Sequence, residues 1–208
     1  MLDVGRAPCA VHGVPVPSGR RHTTCVLQRT PGSGAYARLE REQRWLLSGL
    51  PDDLVDPVDI SDRYLTGSTL RLRRVRSAAD TVYKLGQKVR TVPDSPARVS
   101  LTNMYLSEHE FGLLGQLGGA ALHKTRWKWP TADHVLSVDV FQDNLDGLIL
   151  AEVELREHDP PLPALALAVV DVTDEDRFSG GCLAQLSNEE AAALLASVAE
   201  LVRLGGRG

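Results

Sequence analysis

Residues 39–47 read LEREQRWLL. If the segment is extended, its side chains alternate between two faces. Glu40, Glu42 and Arg44 then share one face, and Leu39, Arg41, Gln43 and Trp45 share the other. Two carboxylates two residues apart on one face repel each other, so either water covers them or a cation sits between them.

The same alternation recurs along the chain. In TLRLRRVR, Arg71 and Arg73 lie opposite Leu70 and Leu72. In VYKLGQKV, Lys84 and Lys88 share a face with Gly86, opposite Tyr83, Leu85 and Val89. LHKTRWKW aligns Lys124, Arg126 and Lys128 opposite Trp127 and Trp129, which read as wall packing. AEVEL sets Glu152 and Glu154 opposite Ala151, Val153 and Leu155, and SVDVF puts Asp139 in phase with Ser137 and Phe141. One charged strand face ordinarily meets solvent. Here the faces are sorted, some carrying only cations and two carrying paired glutamates, which predicts one shared compartment.

A closed antiparallel barrel provides such a compartment. Its lumen collects eight cations (Arg44, Arg71, Arg73, Lys84, Lys88, Lys124, Arg126, Lys128) and five carboxylates (Glu40, Glu42, Asp139, Glu152, Glu154), a cationic interior in a chain of net charge −4. The ligand that satisfies both sets is a polyanion carrying hard divalent cations. Lysine and arginine donate to phosphate oxygens, and carboxylates hold Mg²⁺ or Mn²⁺. On this reading a cation between the glutamates makes their pairing tolerable.

The rest of the chain fits around the strands. LTGS at 65–68, SAAD at 77–80, TVPDSPAR at 91–98, LGGA at 117–120 and DNLDG at 143–147 are turn signals, and SGLPDDLVDP at 48–57 reads as a loop or brief helix. Ser107 with Glu110, and Ser187 with Glu190, have capping-box spacing and predict helices, the second running to the Gly205–Gly206 pair. Short strands with two or three helices and no βαβ alternation predict an α+β fold: an eight-stranded antiparallel barrel with flanking helices, including a C-terminal one.

Residues 1–34, rich in Gly, Pro, Arg and Thr, read as a disordered leader before a domain spanning 35–208. Cys9, His12, His22 and Cys25 within it offer a zinc clip as the alternative reading. The acidic balance gives no support to a general surface for nucleic acid polymers, and none is expected as a partner. No apolar run reaches membrane-spanning length, and the start lacks a signal-peptide core, so a cytoplasmic protein, monomer or homodimer, is expected.

The motifs together resemble the CYTH or triphosphate tunnel metalloenzyme superfamily. Its ExExK signature is matched by residues 40–44, EREQR, with Arg44 in the lysine place. TLRLR, YKLGQK, LHKTRW and DVFQDNLDGLILAEVEL follow in the family's order. Residues 171–186, DVTDEDRFSGGCLAQL, resemble the segment after the last strand, with Asp171, Phe178 and Gly180 where Glu, Tyr and Asn are often seen. The resemblance spans about 36–200 and implies metal-dependent hydrolysis of a small-molecule triphosphate or polyphosphate in a tunnel. It implies Glu40, Glu42, Asp139, Glu152 and Glu154 as metal carboxylates, with Glu40, Glu42 and Arg44 catalytic. Arg71, Arg73, Lys84, Lys124 and Arg126 match the phosphate clamps, and Lys88 joins them by alternation. Arginine at position 44 puts catalytic rate in question, since a planar guanidinium is not a point ammonium. A non-catalytic polyphosphate or nucleotide binder and an adenylyl cyclase are the alternatives.

Overall fold

A computed structural model of the chain describes residues 31, 35–90 and 98–205. Cys9, His12, His22 and Cys25, most of the expected leader, the turn at 91–97 and Gly206 lie outside the described residues.

The alternating segments are strands: β1 Arg38–Leu47, β2 Val55–Leu65, β3 Leu70–Arg76, β4 Thr81–Arg90, β5 Arg98–Leu106, β6 Gly119–Pro130, β7 Val135–Phe141, β8 Ile149–Leu155 and β9 Ala168–Asp171. The first eight form a closed antiparallel barrel in the order β1–β5–β4–β3–β2–β6–β7–β8, with β8 returning to β1. The expected eight-stranded α+β barrel is therefore the fold. One edge of β1 is divided: residues 38–41 pair with β5 and close the ring, while Trp45–Leu47 pair with β9.

Both capping boxes form. Ser107 Oγ accepts from the Glu110 amide ahead of α1, Glu108–Leu114, and Ser187 does the same for Glu190 ahead of α3, Asn188–Gly205. The short α2, Gly180–Leu183, lies between β9 and α3. The 65–68 turn uses Gly67 at φ +70°, a conformation that glycine adopts without a Cβ clash. Residues 48–54 are irregular, and β2 begins at Val55 with a bulge between Val55 and Val58. No helix among the described residues is long and apolar enough to cross a membrane.

Two apolar clusters flank the wall. Outside it, Trp45, Leu47, Leu136, Val138, Ala151, Val153 and Leu155 pack with Trp127, Trp129, Leu162 and Leu165. The outward tryptophans are thus wall packing, as expected. Gln43, also outward, pins this cover: its amide donates to Leu162 O at 3.2 Å and to Asp171 Oδ2 at 2.9 Å, and its oxygen accepts from Leu162 N at 2.7 Å.

The other cluster continues the inward stripes. Along β1 the inward series Glu40, Glu42, Arg44 ends in Leu46; along β8, Glu154 and Glu152 give way to Leu150. Asp139 is followed by Phe141 on β7, and Lys124 is preceded by Leu122 on β6. These four apolar residues pack with Phe178, Leu183, and Ala191, Leu194 and Val198 of α3. The segment after β9 and the C-terminal helix therefore floor the part of the lumen walled by β1, β6, β7 and β8.

Phe178 is buried in that floor. Phe178→Ala is expected to lower stability by about 3–5 kcal/mol, as for other buried aromatic truncations. Chemical denaturation followed by far-UV circular dichroism checks this; a loss below about 1 kcal/mol would show that the floor is not packed as described.

Candidate functional site

The lumen contains a cavity of about 1130 Å³. Each residue expected to meet metal or phosphate lines it, except Asp139. Lys128 also lies outside: it is an exposed side chain paired to Asp56 at 2.9 Å. Its alternation with Lys124 and Arg126 is real, but β6 runs past the cavity by that point.

The charges are not scattered over the wall. Eight of them form one alternating chain of ion pairs. Lys124 and Arg126 both hold Asp139, the latter through two bonds of 2.6 Å. Arg126 also reaches Glu152 at 2.7 Å. From Glu152 the chain passes to Arg44 Nε at 2.7 Å, and from Arg44 Nη2 to Glu42 at 3.2 Å. Lys88 then joins Glu42 at 2.9 Å and Glu40 at 3.7 Å. The opening strand is stabilised by this arrangement: the cations between its glutamates are Arg44 of the same strand and Lys88 of β4.

Titration behaviour follows from these contacts. Burial alone would raise Asp139, but Arg126 and Lys124 outweigh it and hold the carboxyl below its ordinary range. Glu152 is likewise opposed by burial and held well below the usual range by Arg44 and Arg126. Burial depresses Lys124, with Asp139 pulling the other way. Glu40 moves upward because burial prevails over Lys88, with the like charges of Glu42 and Glu154 adding.

Asp139 corrects the sequence reading in one respect. It is 0% exposed, with both oxygens held by Arg126 and one shared with Lys124. It lies beneath the wall and organises cations, so it is not on the cavity surface where a metal would enter.

A second buried carboxylate was missed. Asp62 on β2 is 3% exposed and takes a bidentate pair from Arg73, two bonds of 2.6 Å, with Arg71 Nε 3.7 Å away. Burial opposes its ionisation, yet Arg73 and Arg71 keep it below the ordinary carboxylate range. The sequence held a signal for it: counting back from the 65–68 turn pairs Tyr64 with Arg71 and Asp62 with Arg73. With Asp62 added and Lys128 removed, the expected cationic excess narrows.

What positive charge remains is localised. Arg71 Nε is buried without a hydrogen-bond partner among the described residues. Lys84 forms no ion pair with the described residues, and its ammonium lies 5.3 Å from the Tyr105 ring centroid. Gly86, between Lys84 and Lys88 on the inward face, keeps this wall open: a Cβ there would stand 2.9 Å from Asn103 Oδ1 and 3.6 Å from Arg71 Nη2. Arg71, Lys84, Gln87 and Asn103 all border the cavity.

The carboxylates suit a hard divalent cation in chemistry. Glu42 faces Glu154 across the β1–β8 ladder. The upward shift of Glu40, partly caused by Glu42 and Glu154, is the response of carboxyls that added positive charge would relieve. Among the described residues, however, no three His, Cys, Asp or Glu side chains converge as a preassembled metal-binding group. The donors fit in kind; cations of the chain engage both oxygens of Glu42 and Glu152 and lie 3.6–3.7 Å from one oxygen each of Glu154 and Glu40.

No protein-family model matches this chain, and no curated protein matches it. Solved structures with a similar fold include the inorganic triphosphatase NE1496, at 23% identity and TM-score 0.48, covering 71% of this chain and 95% of that one. The PH1819 protein from Pyrococcus horikoshii OT3 is 18% identical with TM-score 0.43, covering 78% of this chain and 89% of that one. The PH1012 protein from the same organism is 12% identical with TM-score 0.41 and the same coverages, 78% and 89%.

The depressed carboxyls Asp62, Asp139 and Glu152 fix a pH dependence. As pH falls past about 4 the unfolded chain takes up protons that the folded chain resists. Stability present at neutral pH is therefore lost as pH falls toward the folded values. Glu40, shifted upward, acts in the opposite direction and is outnumbered. Urea midpoints are expected to drop steeply between about pH 5 and 3. Equal midpoints across that range would show that these carboxylates are not paired in solution.

Proposed function

We propose that this chain is a divalent-metal-dependent hydrolase of a linear triphosphate, either inorganic tripolyphosphate or a related organic triphosphate. The observation that carries the reading is the location of the least compensated positive charge: among the described residues Lys84 has no ion pair, and Arg71 has only a 3.7 Å contact to an Asp62 that Arg73 already holds. Arg71 and Lys84 face a floored cavity whose other wall presents Glu40, Glu42 and Glu154. An anion with several phosphates spans both walls; a single carboxylate or a neutral metabolite leaves one of them unanswered.

Within this reading Arg71 and Lys84 bind phosphate oxygens, assisted by the neutral donors Gln87 and Asn103. Arg73, Lys124 and Arg126 line the cavity but are anchored to Asp62 and Asp139, so they hold a fixed positive field without having to reorganise. Glu40, Glu42, Glu152 and Glu154 are the residues that would hold Mg²⁺ or Mn²⁺. A bound divalent cation supplies charge neutralisation and a water of lowered pKa. Phosphoryl transfer asks chiefly for positioning and electrostatic stabilisation of the transferring group. Among the described residues no histidine or cysteine lines the cavity, and the reading takes water as the nucleophile.

A second reading has its own observation. Arg44 is committed to Glu42 and Glu152 and stands where the resembled family has lysine. A tunnel kept as a polyphosphate receptor would tolerate that commitment.

Phosphate release by the purified chain, with Mg²⁺ or Mn²⁺ and with tripolyphosphate, ATP, GTP and thiamine triphosphate in turn, separates the two readings. Turnover on at least one substrate, abolished by chelator, is expected. Lys84→Ala and Arg71→Ala are each expected to lower it roughly 10²-fold or more, as for removal of a donor to developing charge. Tight tripolyphosphate binding without release would establish the receptor instead.

A further inference from the structure

The glutamates of the lumen carry counter-cations from the chain itself. Arg44 bridges Glu42 and Glu152, and Lys88 bridges Glu42 and Glu40. Glu154 at the rim is left to Arg38, 3.6 Å away. A divalent cation arriving alone meets carboxylates that already have chain cations beside them, and competes with Lys88 for Glu40 and with Lys88 and Arg44 for Glu42.

The two cations differ from the others in what holds them. Lys124 and Arg126 are anchored to Asp139 at 0% exposure, and Arg73 is bidentate to a buried Asp62. Arg44 and Lys88 instead pair with carboxylates that border the cavity, and the Lys88 side chain is 35% exposed. Phosphate oxygens entering the lumen therefore compete with Glu40 and Glu42 for the same donors.

We infer that Arg44 and Lys88 form a displaceable counter-cation pair, which holds divalent metal off the glutamates until a polyphosphate draws the two side chains away. The identity of the anion rests on the triphosphate reading above; the competition with metal does not. Anion and metal then bind with positive coupling, and the coupling is reciprocal. Metal bound ahead of the substrate is disfavoured, and the metal–triphosphate complex is the species the lumen accepts.

The test is a titration of the full chain with Mn²⁺ alone, followed by electron paramagnetic resonance of free Mn²⁺, with no phosphate present. The unsubstituted chain is expected to bind Mn²⁺ weakly. Arg44→Gln and Lys88→Met are each expected to bind it roughly tenfold more tightly or better, because a unit charge within a few ångströms of the carboxylates has been removed. Lys88→Met leaves the Glu152–Arg126 pair intact, so it decides the matter if Arg44→Gln does not fold. Equal Mn²⁺ affinity in the unsubstituted chain and Lys88→Met overturns the inference. Inorganic phosphate, a weak chelator, is expected to tighten Mn²⁺ binding by the unsubstituted chain and to do so less in Lys88→Met; no tightening overturns the coupling. Calorimetry with tripolyphosphate, first with chelator and then with excess Mn²⁺, tests the anion separately under both conditions. No binding in either, with the Mn²⁺ results as expected, would overturn the triphosphate reading and leave the counter-cation pair standing.

Discussion

Lys124, Asp139, Arg126, Glu152, Arg44, Glu42, Lys88 and Glu40 alternate in sign through a network that is buried at Lys124 and Asp139 and half-buried elsewhere, and much of the barrel follows from that constraint. A charge removed from water is costly unless a partner of good geometry replaces the solvent, and removing one partner of a buried pair costs about 3–5 kcal/mol. The partners here come from β1, β4, β6, β7 and β8, so no subset of strands satisfies the network. Register is constrained in the same way. A slip of one residue on any of these strands would turn its ionic stripe outward and its apolar stripe into the lumen. The ion chain is therefore less a source of net stability than a device that admits one closure of the sheet.

A lumen made only of such charges would still need an end. The same stripes provide it by changing character along their length: Arg44 yields to Leu46, Glu152 to Leu150, Asp139 to Phe141, Lys124 to Leu122. Phe178, Leu183 and α3 cover this dry end, and the polar cavity begins where it stops. The outer cluster around Trp45 and Val138 does a different job, fixing the 156–168 cover to the wall. The polar compartment and one of the two hydrophobic clusters are thus stacked along one set of inward faces, while the other cluster lies on the opposite side of the sheet. This lets a barrel with a charged interior retain a core.

Period-two alternation made the barrel and the phase of most lumen residues legible, because a strand face can be read from a few residues. The same pattern carries no depth. Asp139 and Glu152 both read as inward carboxylates, but one is sealed beneath Arg126 and the other borders the cavity. Lys128 has the right phase at the wrong height, near the end of β6. Asp62 escaped because its strand, VDISDRYL, mixes an acid, an aromatic and an aliphatic residue on one face and does not look sorted; only the hairpin register places it opposite Arg73. The floor was hard to anticipate because α3 is alanine-rich and its packing depends on Phe178 and Leu183, distant in sequence from the strands they cover.

Arg44 is where these strands of reasoning meet. Its guanidinium donates in two directions, Nε to Glu152 and Nη2 to Glu42, and its protonation is reinforced because Glu152 and Glu42 outweigh the effect of burial. A lysine at this place has a single ammonium, strongly hydrated and without a planar fork. With arginine, the cavity-facing Glu42 is mechanically and electrostatically tied to Glu152, and through Arg126 to the sealed Asp139. Charge that enters beside Glu42 therefore acts on a network extending to the far wall. An anion that attracts Arg44 must weaken its hold on both glutamates, while Arg126 keeps Glu152 compensated. The arginine thus gives the cavity wall a part that can yield, supported by a part, Asp139 with its two cations, that cannot.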